Sequence, residues 1–585
     1  MYILGLATMT DSAAVLMRDG HVVAAAEEER FSRIKHDGGF PYRATQFTLN
    51  SGGISIDDVD HIAVYWDPYK LAYRARYMLE TMVRDWSLFA ERFRRSLNVW
   101  SDSRGRDSGW ASLFRTKETI YKHFGKLPRT IHFLDHHLCH MASCFFSSSF
   151  PESAILIMDG TGEAACTTWG IGRGVGLEKI NEHCLPHSLG HFYSAITGYL
   201  GFKMLDGEYK LMGLSPYGDP SGARWIRRNF LRSTRPGSYS LDCRVLDYHR
   251  ALRGNFDGEF ARYFGPPRAR SDVVNFDDRH RDIAASTQRA FEEVAFDVAK
   301  ELRRHTGMTR VALAGGCGLN CIFNGKILGS GIFDEIYVPP VPHDAGGALG
   351  AAMLLYVQLT GKRPEPIVHA QFGPAFDNSQ IQAALWKRSD LISEKLDKEA
   401  VVSRAANLLA SGGVIGWMHG PMEYGPRALG NRSFLADPRS DSIRDTINAK
   451  IKKRELFRPF APSVKAEKAS EYFEIGQSSP FMSIIVPVRQ NKRAIIPAVT
   501  HVDGTARPQT VVREVNPRYW DLLDSFETLT GVPVLLNTSL NIQEPIVCSP
   551  EEALATFAAS GVDALAVGDY WVMHRENPSQ ICPTI

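Results

Sequence analysis

The sequence lacks three features that would each define a class of protein: a long apolar run, a cysteine pairing pattern and a strong excess of charge. No apolar run approaches the roughly 18 residues that a membrane helix needs, so the sequence predicts no transmembrane span. The nine cysteines are scattered and include no CxxC pair. Reduced thiols in a cytoplasmic protein fit this pattern better than a disulfide framework does.

Charge is nearly balanced, with 67 Lys and Arg against 65 Asp and Glu and a net of +2. A protein with this balance has no electrostatic reason to bind nucleic acid or a membrane surface. The N-terminal stretch MYILGLATMTDSAAVL has no basic region before its apolar residues, so we expect no secretory signal. With 585 residues, the chain is too long for one hydrophobic core, which predicts two or more domains.

The beginning of the chain predicts strands followed by a helical segment. Two apolar runs flank Asp19-Gly20, a typical hairpin turn, and HIAVYW from His61 is typical of a buried strand. Residues 69–124 are rich in arginine and aromatic side chains and predict a helical insert. The insert is either a solvated helical element or a lid that contacts an acceptor, and a homodimer interface there is also possible.

Three further segments place glycine or aspartate after a predicted strand. SAILIMDGTGE leads to Asp159, TRVALAGGCGLNC passes through Gly316 to a helix near Asn320, and IYVPPVPHDAGG reaches Asp344 before another helix. Glycines let backbone amides approach an anion, and a helix N-terminus attracts one. The second segment is neither a dinucleotide GxGxxG turn nor a Walker loop. The layout is α/β and is that of the actin, Hsp70 and sugar-kinase fold, which has two similar halves.

His136 and His140 are one helical turn apart within HFLDHHLCHMAS, with His137 and Cys139 between them. At this spacing both imidazoles project from one face of a helix. Two interpretations remain open from the residues alone. Either the histidines are solvated or hydrogen-bonded side chains of an ordinary helix, or the pair binds a metal.

A proline-bearing polar stretch at 360–372 separates two predicted domains, 1–360 and 373–585. The second opens with a helix and a strand in AVVSRAANLLASGGVIGWMHG and then carries basic runs in a glycine- and proline-rich context. Cations with amide and hydroxyl donors suit a multiply charged or phosphorylated ligand, although an exposed basic face has the same composition. The polar residues concerned are Arg427, Arg432, Lys452, Lys453, Arg454, Arg458, Arg507, Asn537, Thr538 and Ser539.

Ten motifs in order along the chain carry a family resemblance: AEEERFSRIKH, HHLCHMAS, MDGTGE, YKLMGLSPYG, AGGCGLN, GPRALGNRS, LFRPFAPS, RPQTV, LNTSLN and DALAVGDY. With these motifs the sequence resembles the nodulation-type O-carbamoyltransferases of antibiotic and nodulation-factor biosynthesis. The resemblance implies an N-terminal domain of the two-lobed ATPase fold and a C-terminal YrdC-like α/β domain. It also implies that the C-terminal domain converts carbamoyl phosphate and Mg-ATP to carbamoyl-adenylate. The N-terminal domain would then transfer the carbamoyl group to a hydroxyl of a small natural product such as a glycoside or macrolide.

The resemblance implies roles for residues of both domains. The positions that match ligands of Fe(II) or a similar divalent metal are His136, His140, Asp159 and Asp344, of which Asp159 is also a catalytic candidate. Lys35 would steady the carbamoyl group, and the other positions that match adenylate contacts are Ser188, Leu189, Gly190, Gly316 and Asn320. The positions that match the carbamoyl phosphate and ATP site are Lys452, Arg458, Arg507, Asn537 and Ser539, with Arg427 and Arg432 as neighbours.

One departure from the family pattern leaves the general base unassigned. The family has a histidine after the first strand, whereas this chain has Thr10 in MTDSAAVL, so the neighbouring Asp11 is the candidate for the base. NIQEPIV is also one residue shorter than the family pattern beside the C-terminal site. Two alternatives stay open: a relative that carbamoylates tRNA or a protein, and a member that forms or binds carbamoyl-adenylate without efficient transfer.

Overall fold

The computed structural model describes residues 1–70, 110–246, 258–269 and 276–575, together with residues 76, 79, 82–83, 86–87, 89–90 and 256. The chain forms two compact units. The N-terminal unit comprises Met1–Ser32 and His36–Ile367, and the C-terminal unit comprises Arg33–Lys35 and Val368–Ile585. Most of the helical insert predicted at 69–124 lies outside the described residues.

The first sheet of the N-terminal unit consists of β1 (Tyr2–Ala7), β2 (Ala13–Arg18), β3 (His21–Glu27), β4 (His61–Val64) and β5 (Ile131–Phe133). Its strand order is β3-β2-β1-β4-β5. The first three strands are antiparallel, and β4 and β5 are parallel to β1. Asp19 and Gly20 turn the chain between β2 and β3 with φ of 51° and 89°, as a two-residue hairpin turn requires. The predicted hairpin is therefore confirmed.

The second sheet repeats the plan of the first. Its strands are β6 (Glu152–Met158), β7 (Ala165–Arg173), β8 (Gly176–Cys184), β11 (Arg310–Ala314) and β12 (Glu335–Tyr337), and a separate hairpin contains β9 (Leu231–Arg235) and β10 (Ser238–Leu241). The order β8-β7-β6-β11-β12 again joins three antiparallel strands to two parallel ones. The N-terminal unit is thus a two-lobed α/β domain of the actin and sugar-kinase plan, which confirms the predicted fold class.

The helices of the N-terminal unit come from the two chain segments that form its sheets. The segment of the first sheet contains α1 (Glu29–Ser32), α2 (Tyr42–Gly52), α3 (Thr116–Phe124) and α4 (His136–Phe145). The segment of the second sheet contains α5 (Leu189–Tyr199), α6 (Glu208–Leu214), α7 (Ala223–Asn229), α8 (Glu259–Phe264), α9 (Asp278–Thr306), α10 (Cys321–Gly329) and α11 (Gly346–Thr360). Helix α4 packs on β6 and β11 of the second sheet, and α11 packs on β1, β2 and β4 of the first. No helix in the described part of the chain is long and apolar enough to cross a membrane.

Helices α4 and α11 hold equivalent places in the two lobes, since each follows the last parallel strand of its sheet. Their backbones touch. A Cβ added to Gly350 of α11 would lie 1.9 Å from the carbonyl oxygen of Cys139 of α4. A Cβ on Gly347 would likewise lie 2.2 Å from the ring of Tyr65. Glycine at position 350 permits the two helices to pack this closely, and glycine at position 347 leaves room for the Tyr65 ring.

The C-terminal unit is built on an eight-stranded mixed sheet with the order β13-β22-β21-β14-β15-β20-β16-β19. Its strands are β13 (Leu391–Lys395), β14 (Val414–Met418), β15 (Arg432–Ala436), β16 (Ala461–Lys465), β19 (Gln509–Val511), β20 (Val534–Ser539), β21 (Ala564–Val567) and β22 (Tyr570–His574); β17 (Val486–Pro487) pairs with β18 (Thr505–Ala506) outside it. The helices are α12 (Asn378–Leu385), α13 (Lys398–Ala410), α14 (Asp441–Thr446), α15 (Ala469–Tyr472), α16 (Pro517–Thr530) and α17 (Pro550–Ser560). The helix and strand predicted at the start of this unit correspond to α13 and β14.

Substituting Gly350 with Ala forces the α4 and α11 backbones apart. We expect Gly350→Ala to lower the free energy of unfolding of the N-terminal unit by about 1–3 kcal/mol, the usual cost of overpacking. Gly329→Ala is the matched control, because a Cβ on Gly329 at the end of α10 meets no atom within 4 Å. Thermal unfolding followed by circular dichroism measures both changes. Equal unfolding temperatures for the two variants would contradict the close helix contact.

Candidate functional site

Four side chains that the sequence places far apart meet inside the N-terminal unit. His136 and His140 project from one face of α4, Asp159 follows β6, and Asp344 precedes α11. The Nε2 atoms of the two histidines are 3.1 Å apart. His136 Nε2 is 3.2 Å from Asp159 Oδ2, and Asp344 Oδ1 is 3.7 Å from His136 Nε2 and 3.6 Å from His140 Nε2. One potential ligand atom of each residue lies within 4.8 Å of the others.

The cluster is buried, and its charges are strongly coupled. Both histidines are 0% exposed and Asp159 is 5% exposed. Burial lowers the pKa of His136, but its hydrogen bond with Asp159 and the charge of Asp344 raise that pKa to about 9. Burial raises the pKa of Asp159, yet the hydrogen bond with His136 and the charge of His140 hold it well below its usual range.

The donor set fits a divalent cation. Because the two Nε2 atoms face each other at 3.1 Å, only one of them can carry a proton along that line, and the other offers its lone pair there. Two imidazole nitrogens and two carboxylate oxygens converging on one buried point form a ligand set that suits zinc, iron and related ions. Metal binding itself stays a prediction.

The helix that carries both histidines is anchored at its first turn. Asp135 caps α4 by accepting a hydrogen bond from Leu138 N at 2.7 Å. Glu163 Oε1 accepts from His136 N at 3.1 Å and from Asp67 N at 2.8 Å. Sequence reasoning did not single out Glu163, although the MDGTGE motif contains it. Its role depends on a contact between distant segments, which the motif alone does not reveal.

His137 and Cys139, which lie between the two histidines in sequence, are outside the cluster. His137 Nδ1 is 2.7 Å from Thr168 Oγ1, and burial holds the pKa of His137 well below its usual range. Cys139 is completely buried, and burial raises the pKa of its thiol. Both side chains therefore belong to the packing of α4.

Thr10 occupies the position where the family resemblance expects histidine. Its hydroxyl donates a hydrogen bond to Asp344 Oδ2. The next residue, Asp11, accepts at Oδ1 from the ring of His36 at 2.6 Å. The β1–β2 turn thus supplies a hydroxyl to the cluster and a partly exposed carboxylate beside it.

The adenylate candidates of the N-terminal unit gather around the turn that follows β6. Ser188 Oγ donates to Gly160 O at 2.6 Å and accepts from His191 N at 3.0 Å, which caps α5. Gly316 N donates to Asp159 Oδ1 at 2.8 Å.

Glycine is required where α5 begins. A Cβ on Gly190 would lie 2.7 Å from Asp159 O, so only glycine fits at that place in the first turn. The preceding residue, Leu189, is the first residue of α5 and is completely buried.

Of the two remaining adenylate candidates, Asn320 lies at the start of α10, whereas Lys35 belongs to the other unit. Asn320 caps α10 by accepting from Phe323 N at 3.1 Å, and its Nδ2 donates to Gln288 Oε1 at 3.0 Å. The N-terminus of α10 is thus capped by Asn320, as that of α5 is capped by Ser188. Lys35 is grouped with the C-terminal unit, unlike the other adenylate candidates.

In the C-terminal unit, Lys452 is the most deeply buried of the predicted ligand-binding cations apart from Arg432. Its exposure is 1%. The ammonium donates at 2.8 Å both to the backbone oxygen and to Oδ1 of Asn541, and it also bonds the backbone oxygen of Ser539. Burial, reinforced by the positive charges of Arg454 and Arg458, holds the pKa of Lys452 well below its usual range.

Asn541 is a further residue of this site that sequence reasoning missed. Its Oδ1 accepts from Ser539 Oγ at 2.6 Å as well as from Lys452, so one side chain orients two predicted ligand contacts. Asn537 is buried on β20, the strand that ends at Ser539, and it donates to Ser463 Oγ at 3.0 Å. The LNTSLN motif includes Asn541, but only the fold shows that Asn541 faces Lys452.

The other predicted cations differ in exposure. Arg458 has a loose ion pair with Glu455 at 3.8 Å, and Arg507 is half-buried just before β19. Arg427 is half-buried on a loop whose backbone Glu423 organises by accepting from Leu429 N at 2.6 Å.

Arg432, predicted as a neighbour of the carbamoyl phosphate and ATP site, directs its guanidinium into the protein. Its side chain is completely buried. The guanidinium donates to five backbone carbonyl oxygens, those of Pro374, His419, Gly420, Asn431 and Cys548. These bonds tie β15 to the surrounding loops and direct its donors into the protein. A run of basic residues in the sequence does not distinguish such an arginine from one that faces a ligand.

Two family models match the chain in the order of its two units. The carbamoyltransferase N-terminus matches residues 2–353, and the carbamoyltransferase C-terminus matches residues 406–574. The chain belongs to the carbamoyltransferase family. It is therefore a transferase that moves a carbamoyl group, as the sequence resemblance implied.

The carbamoyltransferase is similar to proteins of nodulating bacteria and of a cyanobacterium. It is 41% identical over 580 residues to nodulation protein NolNO of Sinorhizobium fredii, with 97% of this chain and 79% of that protein covered. Nodulation protein NolO of Bradyrhizobium diazoefficiens is 42% identical over 450 residues, with 76% and 79% covered. An uncharacterized protein of Synechocystis sp. is 39% identical over 616 residues, with 99% and 98% covered. Among solved structures, full-length HypF in a phosphate- and nucleotide-bound form aligns with a TM-score of 0.32 and 17% identity, over 62% of this chain and 56% of that one.

Because the guanidinium of Arg432 is buried and bonded to carbonyl oxygens, we expect it to contribute to the stability of the carbamoyltransferase. Arg432→Lys retains the charge but leaves several carbonyl oxygens without a donor, so we expect a loss of at least ~3 kcal/mol in the free energy of unfolding. Arg513→Lys is the control, because its side chain is 60% exposed. Urea denaturation followed by tryptophan fluorescence measures both. A stable Arg432→Lys variant that binds carbamoyl phosphate poorly would restore the ligand role.

Proposed function

We propose that this carbamoyltransferase forms carbamoyl-adenylate from carbamoyl phosphate and ATP in its C-terminal unit. The observation that carries the proposal is the environment of Lys452. No carboxylate lies within 4 Å of its Nζ in the described part of the chain, where Nζ donates to backbone, Ser539 and Asn541 oxygens and lies 5.2 Å from the centroid of the Phe434 ring. A buried cation without an anionic partner is costly, and an anion bound beside it offsets that cost.

The residues around Lys452 suit the chemistry of phosphate and carbamate. The guanidinium groups of Arg458 and Arg507 would grip phosphate oxygens, which they can do with two parallel hydrogen bonds. Ser539 supplies a hydroxyl that Asn541 orients. Water first hydrolyses carbamoyl phosphate to carbamate and inorganic phosphate, and an oxygen of the carbamate then attacks the α-phosphorus of ATP. The bond to the β-phosphate oxygen breaks, and pyrophosphate leaves with its electron pair.

The N-terminal unit would then transfer the carbamoyl group to a hydroxyl of a small natural product. The turn after β6 and the N-termini of α5 and α10 would hold the adenylate. A divalent cation held by His136, His140, Asp159 and Asp344 supplies positive charge for the adenylate phosphate when bound. The acceptor hydroxyl oxygen bonds to the carbamoyl carbon, the bond from that carbon to the AMP oxygen breaks, and AMP leaves with the electron pair.

Asp11 is the proton acceptor in this proposal. Its carboxylate is 19% exposed, so a substrate can reach it. The charge of His343 and the hydrogen bond from His36 hold its pKa below the usual value despite burial. It is therefore ionised at neutral pH and able to accept a proton as the hydroxyl attacks.

The adenylation half-reaction needs no acceptor and can be tested first. Purified protein mixed with Mg-ATP and carbamoyl phosphate should release pyrophosphate and form carbamoyl-adenylate, detected by mass spectrometry. Arg507→Ala should reduce pyrophosphate release by about 10²-fold or more, as the loss of a charge-stabilising donor does. Arg513→Ala, an exposed arginine of the same unit, should leave the rate unchanged. Absence of pyrophosphate from metal-replete wild-type protein would refute the proposed function.

Metal analysis tests the N-terminal half of the proposal. The protein is stripped of metal with a chelator and reloaded in separate samples with Fe²⁺, Zn²⁺ or Mn²⁺. Inductively coupled plasma mass spectrometry should then find about one ion per chain. His140→Ala should lose that ion, since it removes one ligand of a buried cluster. His132→Ala is the control, because His132 lies on β5, before α4, and is not part of the cluster. Its Nε2 is 3.2 Å from Nδ1 of His61. Equal metal content in both variants would exclude the proposed ligand set.

A further inference from the structure

His36 is held by carboxylates at both ring nitrogens. Its Nδ1 is 2.6 Å from Asp11 Oδ1, and its Nε2 is 3.1 Å from Asp206 Oδ1. Asp11 lies in the β1–β2 turn of the first lobe, whereas Asp206 lies between α5 and α6 of the second lobe. The ring therefore joins the two lobes of the N-terminal unit beside the turn that carries Thr10.

The backbone fixes His36 in this orientation. Its φ of 52° is left-handed, a conformation that residues other than glycine adopt uncommonly. Its N–H donates to Glu29 Oε2 at 2.9 Å. Two residues further on, Gly38 O accepts from Met9 N at 3.0 Å, and a Cβ on Gly38 would lie 2.3 Å from Met9 O. The loop after His36 and the β1–β2 turn are thus a single rigid platform.

The carboxylates of Asp11 and Asp206 determine the protonation state of the His36 ring. Burial lowers the pKa of His36, but the hydrogen bonds with Asp11 and Asp206 outweigh it and raise that pKa to about 11. The ring is therefore an imidazolium at neutral pH. An imidazolium has no lone pair with which to accept a proton, so His36 can act only as a donor that orients its neighbours.

We propose that His36 is a positioning residue for carbamoyl transfer: it fixes the Asp11 carboxylate and joins it to Asp206 of the opposite lobe. This inference rests on the proposed function, in which Asp11 accepts the proton of the acceptor hydroxyl. His36 occupies Oδ1 of Asp11, while Oδ2 lies 3.9 Å from His343 Nε2. Oδ2 takes the proton as the hydroxyl oxygen bonds to the carbamoyl carbon and AMP leaves with the electrons of the broken bond.

The platform also accounts for Thr10. The family histidine is absent, and the hydroxyl that replaces it is engaged with Asp344. An orienting donor for Asp11 is instead supplied by His36, from the loop that follows α1. His36 was not singled out from the sequence, because the AEEERFSRIKH motif directs attention to Lys35.

Water is the smallest hydroxyl acceptor and serves as the probe. Preformed carbamoyl-adenylate is mixed with wild-type protein or His36→Gln, and AMP release above the spontaneous rate is measured at several concentrations. His36→Gln should lower kcat about 10- to 100-fold, the usual effect of misplacing a reacting group. KM for carbamoyl-adenylate should stay within about twofold, because the residue orients a proton acceptor and does not bind the adenylate. Asp206→Asn, which keeps the Asp11 contact, should show a smaller loss of kcat.

Two controls separate this inference from the proposed function. His21→Gln removes an exposed histidine that pairs with Glu365 at 2.7 Å in the same unit, and it should leave kcat unchanged. Pyrophosphate release from Mg-ATP and carbamoyl phosphate should be the same in His36→Gln and wild type. Normal AMP release by His36→Gln, or a loss confined to KM, would overturn the inference while pyrophosphate release upholds the proposed function. A wild-type rate no higher than the spontaneous one would overturn the role of Asp11 and of His36 with it, and absent pyrophosphate release would refute the proposed function itself.

Discussion

The backbone contact between helices α4 and α11 is the constraint on which the N-terminal site depends. Gly350 allows α11 to approach the carbonyl oxygen of Cys139, one residue from His140. The same approach brings Asp344, just before α11, within 4 Å of both histidines. The duplicated sheet order makes this possible, because it places a helix after the last parallel strand of each lobe at a common junction. A small residue on one helix therefore determines where a charge cluster forms between both.

Each unit contains a cluster of polar or charged groups that a ligand of the opposite charge would complete. The N-terminal unit holds two carboxylates against imidazole nitrogens, that of Asp159 buried and that of Asp344 15% exposed, and a cation would complete this arrangement. The C-terminal unit buries the ammonium of Lys452 among neutral oxygens, an arrangement that an anion completes. Burying unpaired polar groups lowers stability, so such groups are typical of sites that bind a ligand. Within each unit, the neighbouring bonds hold these groups in place: Glu163 and Asp135 anchor α4, and Asn541 orients Lys452 and Ser539.

Local patterns predicted most of the secondary structure that positions the site. The Asp19-Gly20 hairpin and the helix carrying His136 and His140 follow from turn chemistry and helical spacing, which act over a few residues. Asp344 could be matched to the histidines only through the family resemblance, since a fold joins them across some 200 positions of sequence.

Contacts between distant segments were not predictable. Arg432 has the same sequence context as a ligand-binding arginine, and only its burial against five carbonyl oxygens shows otherwise. Asn541 and His36 were overlooked for the corresponding reason, since each acts through a partner remote in sequence. In His36, one ring contacts two carboxylates that are 195 residues apart, at positions 11 and 206.

The most direct test of the metal site is anomalous X-ray diffraction from crystals of metal-loaded protein, recorded at the absorption edge of the bound ion. The account predicts one peak about 2.0–2.2 Å from Nε2 of His136 and His140 and from a carboxylate oxygen of Asp159 and Asp344. A map with no peak there, in which His136 remains hydrogen-bonded to Asp159, would contradict it.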